Sequence, residues 1–171
     1  MTNKHGHAPG FFIIFKSMNC QDKEFSFPNR QLLGRLTHNF ASDLEAVKKL
    51  MVEGGDINAK STIDGESIFY KAIDLNLEYI SDEVIIYLIE NHKPNLNEHP
   101  NDGMTPLHEA IMLNRVALVE FMLSKGADPF IVGEDGLNLI ETARNEKTYH
   151  DVHKTGIDYT EMVKLSENFK K

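Results

Sequence analysis

Apolar positions along this chain fall into short bursts at helical spacing. Leu32, Leu33 and Leu36 make one stripe, and Leu44, Val47, Leu50 and Met51 a second. Leu118, Val119, Met122 and Leu123 make a third, and Leu139, Ile140 and Ala143 a fourth. Residues three and four apart share a helix face, so each burst predicts a short amphipathic helix. The first two helices are expected over about 29–39 and 42–53. A last helix is expected over about 159–169, with Tyr159, Met162, Val163 and Phe169 on one face. Asp158 and Glu161 would open it as an Asp-x-x-Glu analogue of the capping box. Upstream the pattern differs. Phe11-Phe12-Ile13-Ile14-Phe15 is a continuous aromatic and β-branched run, and Glu24-Phe25-Ser26-Phe27 alternates polar with apolar. Residues 11–27 therefore predict a β-hairpin or extended cap, stopped by Pro28.

The turns between the bursts are phased. Asp64-Gly65, Asp102-Gly103 and Asp135-Gly136 are equivalent, with steps of 38 and 33 residues between them. Segment ends recur as Gly54-Gly55-Asp56-Ile57-Asn58, Pro94-Asn95-Leu96-Asn97 and Gly126-Ala127-Asp128-Pro129. The stretch Asp102-Gly103-Met104-Thr105-Pro106-Leu107-His108-Glu109-Ala110, closed by Lys125-Gly126-Ala127-Asp128-Pro129, resembles one full ankyrin repeat. The step of 33 matches the period of that family. The resemblance implies an all-α fold: an ankyrin-repeat α-solenoid with a short N-terminal β-hairpin-like cap and a C-terminal capping helix. The tail and cap would occupy 1–28. Repeats would run over 29–147, divided as 29–61, 62–99, 100–132 and 133–147 onward, and the C-terminal cap over 148–171.

Within that frame Thr105 would cap a helix and Pro106 would sit at its first position. Ser67-Ile68-Phe69-Tyr70-Lys71-Ala72 fills the same slot one repeat earlier, with Tyr70 in place of His and Lys93 where the helix-ending Gly stands. Gly54 and Gly55 would end the preceding helix in the left-handed conformation. The five extra residues of that second repeat are expected near 77–82.

Composition adds exclusions. The chain has 171 residues, 41% of them hydrophobic and 26% charged, as in a globular protein of about one domain. Its longest apolar run is five residues, against the roughly 20 needed to cross a bilayer, and no signal-peptide pattern opens it. A net charge of −8 without a basic stripe argues against nucleic acid as a partner. The single cysteine, Cys20, forms no intramolecular disulfide and fits a reducing compartment such as the cytoplasm.

No motif for nucleotide, metal or nucleophilic chemistry is present, so neither cofactor nor catalysis is expected. His108 reads as structural, bonded near the Thr-Pro turn of its own or the next repeat. Asn145 to Gly156 reads as an irregular polar segment, with His150, Asp151 and His153 solvated. A rival reading makes the chain a small enzyme or modifier using Cys20, His150, Asp151 or His153. Another makes it a subunit assembling through the 11–27 hairpin. The favoured reading follows from the resemblance: a monomeric, non-catalytic module that binds another protein, through a basic or amphipathic segment of that partner, on its concave face. Carried over by register, that face comprises Ile63, Glu66, Asp74 and Leu75, then His99, Asn101, Met104, Met112 and Leu113, then Val132, Glu134 and Leu137. Compact arrays of this kind occur in intracellular bacteria and viruses, which suggests an effector acting in a host cytosol. No membrane partner is expected.

Overall fold

The computed structural model of the chain describes residues 25–37, 44–76, 80–99, 104–133 and 135–169. Cys20, Asn101, Glu134, positions 11–24 of the expected hairpin and residues 77–79 of the expected insertion lie outside them. Eight helices follow in order among the described residues: α1 (Phe27–Thr37), α2 (Leu44–Val52), α3 (Ile68–Asn76), α4 (Asp82–His92), α5 (Pro106–Met112), α6 (Val116–Ser124), α7 (Leu139–His153) and α8 (Thr160–Glu167). Helices α1, α3, α5 and α7 pack in an inner row, and α2, α4, α6 and α8 in an outer one. This is the expected α-solenoid. Each helix is too short to be stable alone, so stability comes from stacking. One apolar cluster runs the length of the stack, from Leu32 and Val47 through Ile68, Ile85 and Ile111 to Tyr159 and Met162.

The periodicity located the buried stripes. Leu32, Leu33, Leu36, Val47, Leu118, Val119, Met122, Leu139 and Ala143 are all buried. Three local expectations are overturned. Phe27 does not close a strand; it opens α1, with Pro28 in the first turn. A proline there removes an N–H that has no intrahelical partner in any case. Residues 145–153 are not irregular but extend α7 to fifteen residues. Glu, Lys and Arg propagate a helix as well as most apolar residues do, so polarity was no breaker. Asp158 and Glu161 do not form a capping box, because α8 has Tyr159 at its N-cap with no side-chain cap. Asp158 instead accepts from the Thr160 N–H at 2.8 Å, one residue out of register.

The outer helices α2, α4 and α6 end in the same way. Gly54, Lys93 and Gly126 take left-handed backbone with φ of 100°, 47° and 99°. Lys93 thus stands in a glycine's place, as the register placed it. Gly55 is not left-handed; a Cβ there would lie 2.8 Å from the Leu50 carbonyl oxygen. The second repeat's extra length is divided. The first residues of α3 and α4, 68 and 82, are fourteen apart, against ten for α5 and α6 at 106 and 116. Four of the five extra residues therefore fall in α3 and the connection after it. The root of that connection is pinned from the next repeat: Arg115 donates to the Ile80 carbonyl at 3.0 Å and pairs with Asp82.

Gly55→Ala is expected to destabilise the chain by about 1–3 kcal/mol, the usual cost of overpacking. Urea denaturation followed by circular dichroism measures this, and an unchanged midpoint would refute the close approach.

Candidate interaction surface

Among the described residues, the fingers around Gly65 and Gly136 are built on Asp-Gly turns. Asp64 Oδ1 accepts from the Glu66 N–H at 3.1 Å, and Asp135 Oδ1 from the Leu137 N–H at 2.9 Å. Gly65 and Gly136 follow with φ of 77° and 79°. These aspartates serve the turn. Between fingers, asparagines tie neighbouring repeats: Asn58 Nδ2 donates to the His92 carbonyl at 3.1 Å and Asn97 Nδ2 to that of Gly126 at 3.2 Å.

In the second and third repeats the chain leads into inner helices whose first N–H groups are buried. In the third repeat Thr105 Oγ1 accepts from the His108 N–H at 3.4 Å, and His108 Nδ1 accepts from the Thr105 N–H at 3.2 Å. A bare Nδ1 puts the ring proton on Nε2, which donates to the Leu137 carbonyl of the next finger at 3.3 Å. His108 is thus structural and links two repeats. Its burial pushes its pKa below the ordinary histidine value. In the second repeat Tyr70 occupies the histidine's position, and Glu98 supplies the missing acceptor. Its Oε1 accepts from the Ser67 N–H at 2.9 Å and its Oε2 from the Ser67 hydroxyl at 2.6 Å, while Lys60 neutralises it. Sequence reasoning missed Glu98. The substituted histidine at 70 was the one available signal.

The expected contact residues separate into two groups. Ile63 is 76% exposed at a finger tip, Val132 is exposed just before the Asp135-Gly136 finger, and His99 is exposed. Met104 and Leu137 are half-buried, and Glu66 is held by Lys71 at 3.3 Å. Met112 and Leu113 are exposed but sit at the far end of α5, where the Met112 carbonyl accepts from the Tyr159 hydroxyl. Eight residues of helical rise from Thr105 put them about 12 Å from the fingers. Asp74 and Leu75 lie in α3, but their side chains, like Asn101 and Glu134, are outside the described residues.

Of the residues of the enzymatic alternative, Cys20 lies outside the described residues, and the other three have partners. His150 Nδ1 lies 2.5 Å from Thr155 Oγ1, and its ring stacks on Tyr159 with centroids 5.0 Å apart. His153 Nδ1 lies 2.8 Å from the Tyr149 carbonyl, and Asp151 pairs with Lys147 at 2.6 Å. Among the described residues no group of three or more His, Cys, Asp or Glu could hold a metal ion, and no helix is long and apolar enough to cross a membrane. A groove of about 510 Å³ between α1 and α2 is lined by Gln31, Gly34, Arg35, Ala46, Lys49, Leu50 and Glu53. It brings together no histidine, cysteine or carboxylate pair.

A family model described as ankyrin repeats, in three copies, matches residues 38–132. Alpha-latrocrustotoxin-Lt1a of Latrodectus tredecimguttatus is 31% identical over 61 residues, which is 36% of this chain and 4% of the toxin. A putative ankyrin repeat protein of Acanthamoeba polyphaga mimivirus is 32% identical over 104 residues, 57% of this chain and 5% of that protein. The chain thus matches only 4–5% of the length of these two relatives.

Two outcomes follow from the buried caps. Glu98→Ala leaves the Ser67 N–H and hydroxyl buried without partners and should cost about 1–3 kcal/mol; Glu98→Gln, which keeps an acceptor, should cost less. Equal urea midpoints for the two variants would refute the cap. For His108 the depressed pKa sets the sign. As pH falls through the unfolded value near 6.5, the unfolded chain takes up a proton that the native chain refuses. Stability is therefore lost on acidification, by up to about 1.4 kcal/mol per pH unit until the native pKa is reached. His108→Gln should flatten the stability profile from pH 7 to 5 relative to wild type. Parallel profiles would contradict this.

Proposed function

Because the chain belongs to the ankyrin repeat family, whose repeats are generally protein–protein interaction modules, we propose that it binds another protein through its fingers and inner helices, without catalysis. One observation carries the reading. The stack completes its core yet leaves apolar side chains on that side, Ile63, Met112, Leu113 and Val132 among them. Such anchors inside a charged rim suit an interface. The net charge of −8 favours a basic or amphipathic segment as the bound element. A single cysteine supports a reducing cytosol as its setting. The likeness to an array from a virus supports an effector that acts on host proteins.

The test is a quantitative pull-down in which the wild type is compared with a variant carrying charged residues at Met104, Met112 and Leu113. A partner held by the wild type should be lost by the variant while the far-ultraviolet helical signal is kept. Equal retention would remove this face from consideration.

A further inference from the structure

Helix α7 runs for fifteen residues where α5, its neighbour in the inner row, runs for seven. The surplus of eight residues projects about 12 Å past the end of α5. The projecting end carries Tyr149 and Val152 on its exposed side, and Val152 is 69% exposed. The connection to α8 returns across the end of α5: Asn114 Nδ2 donates to the Asp158 carbonyl at 2.9 Å and the Tyr159 hydroxyl to the Met112 carbonyl at 2.5 Å. That crossing brings Ile157, 48% exposed, toward Met112 and Leu113. Five of the ten exposed large hydrophobic side chains of the described residues thus lie on three adjoining pieces of chain: the end of α5, the projecting end of α7 and the connection after it. Concentrated apolar exposure of this kind marks an interaction site more often than scattered exposure does.

This corner is braced. Tyr149 stacks on His153 with centroids 4.2 Å apart and meets His150 edge-on at 5.3 Å. Ligand binding would therefore order little, which saves affinity. Residues 146–161 also hold four acids, Glu146, Asp151, Asp158 and Glu161, against Lys147 and Lys154. Hydrogen bonds from Thr160 hold the Asp158 carboxyl below its usual range, so it keeps its charge. The carbonyl end of α7 adds a partial negative charge. The elements around this corner are helices, whose backbone groups bond internally and offer a peptide no strand edge to extend. A helix satisfies its own backbone and needs no such edge.

We propose that this corner docks one amphipathic helix of another protein, apolar on the face it buries and rich in Lys or Arg along its flanks. The inference rests on the reading of the chain as a binding module and adds a contact site beyond the fingers. The probe is a synthetic Leu/Lys amphipathic helical peptide, titrated by fluorescence anisotropy into the full chain, beside a scrambled peptide of the same composition. The wild type should bind the amphipathic peptide more tightly than the scrambled one. Val152→Glu and Ile157→Glu should each weaken binding by about tenfold or more, with the helical signal unchanged. Each adds a negative charge, so attraction by charge alone predicts tighter binding instead. No binding by the wild type, equal binding of the scrambled peptide, or undiminished binding by both variants would overturn the proposal. If Ile63→Glu alone abolishes binding, the corner falls while the finger reading stands.

Discussion

Stacking buries the N-terminal ends of the inner helices α3 and α5, and the N–H groups there must find acceptors without water. A buried donor left unpaired costs about as much as a good core contact gains. The inner helices α3, α5 and α7 cap their ends with three different chemistries. Thr105 and His108 satisfy each other, and the spare imidazole N–H reaches the next repeat at the Leu137 carbonyl. Ser67 borrows the Glu98 carboxylate from the next repeat. Asn138 and Glu141 close an ordinary capping box, with Glu141 accepting from the Asn138 N–H at 2.9 Å. The last is exposed, because no further finger follows among the described residues to cover it. In the two buried cases the cap and the inter-repeat contact are one network, so a repeat does not form its helix end properly without its neighbour.

That coupling is one source of cooperativity in the solenoid, and it explains why Tyr70 is tolerated. The position equivalent to His108 holds here a phenol buried in the core. The acceptor is instead Glu98, thirty-one residues from Ser67. A buried carboxylate is costly unless its charge is matched, and Lys60 from the opposite side of the finger matches it. Lys71 fastens the same finger from the helix side, pairing with Asp64 at 2.6 Å and Glu66 at 3.3 Å.

The parts of this architecture that were legible in the sequence are those written locally. Thr105-Pro106-Leu107-His108 contains its own turn, cap and first helical position. Lys93 was identified as a helix end by register, and its φ of 47° agrees. The misread parts depend on partners distant in sequence, or on elements whose polarity conceals them. Pro28 ends a strand or begins a helix with equal ease, and what decides is the burial of Leu32, Leu33 and Leu36 against the stack. Helix α7 continues past Arg144 because Asn145 to His153 contains no Gly or Pro to stop it and gains support from Lys147–Asp151 and from α8 through Arg144–Glu167 at 2.7 Å. Glu98 could not be read from composition, since an acid before an Asp-Gly turn looks like one more solvated charge.

The same distinction governs how far a contact surface can be inferred. Register placed twelve residues on one face, yet the structure puts Ile63 and Val132 near the fingers and Met112 and Leu113 a helix length away. Length, not register, sets that separation: α5 is seven residues long, so its two ends serve different parts of the surface. Where α7 doubles that length, the far end becomes a ledge that no repeat consensus describes. The repeat core constrains which side chains are buried and leaves the ends of its inner helices open to change. A change there adds exposed surface without disturbing a cap, so new contacts can be added at little cost to the fold. Such positions are where a repeat protein of fixed architecture can differ from its relatives in what it binds.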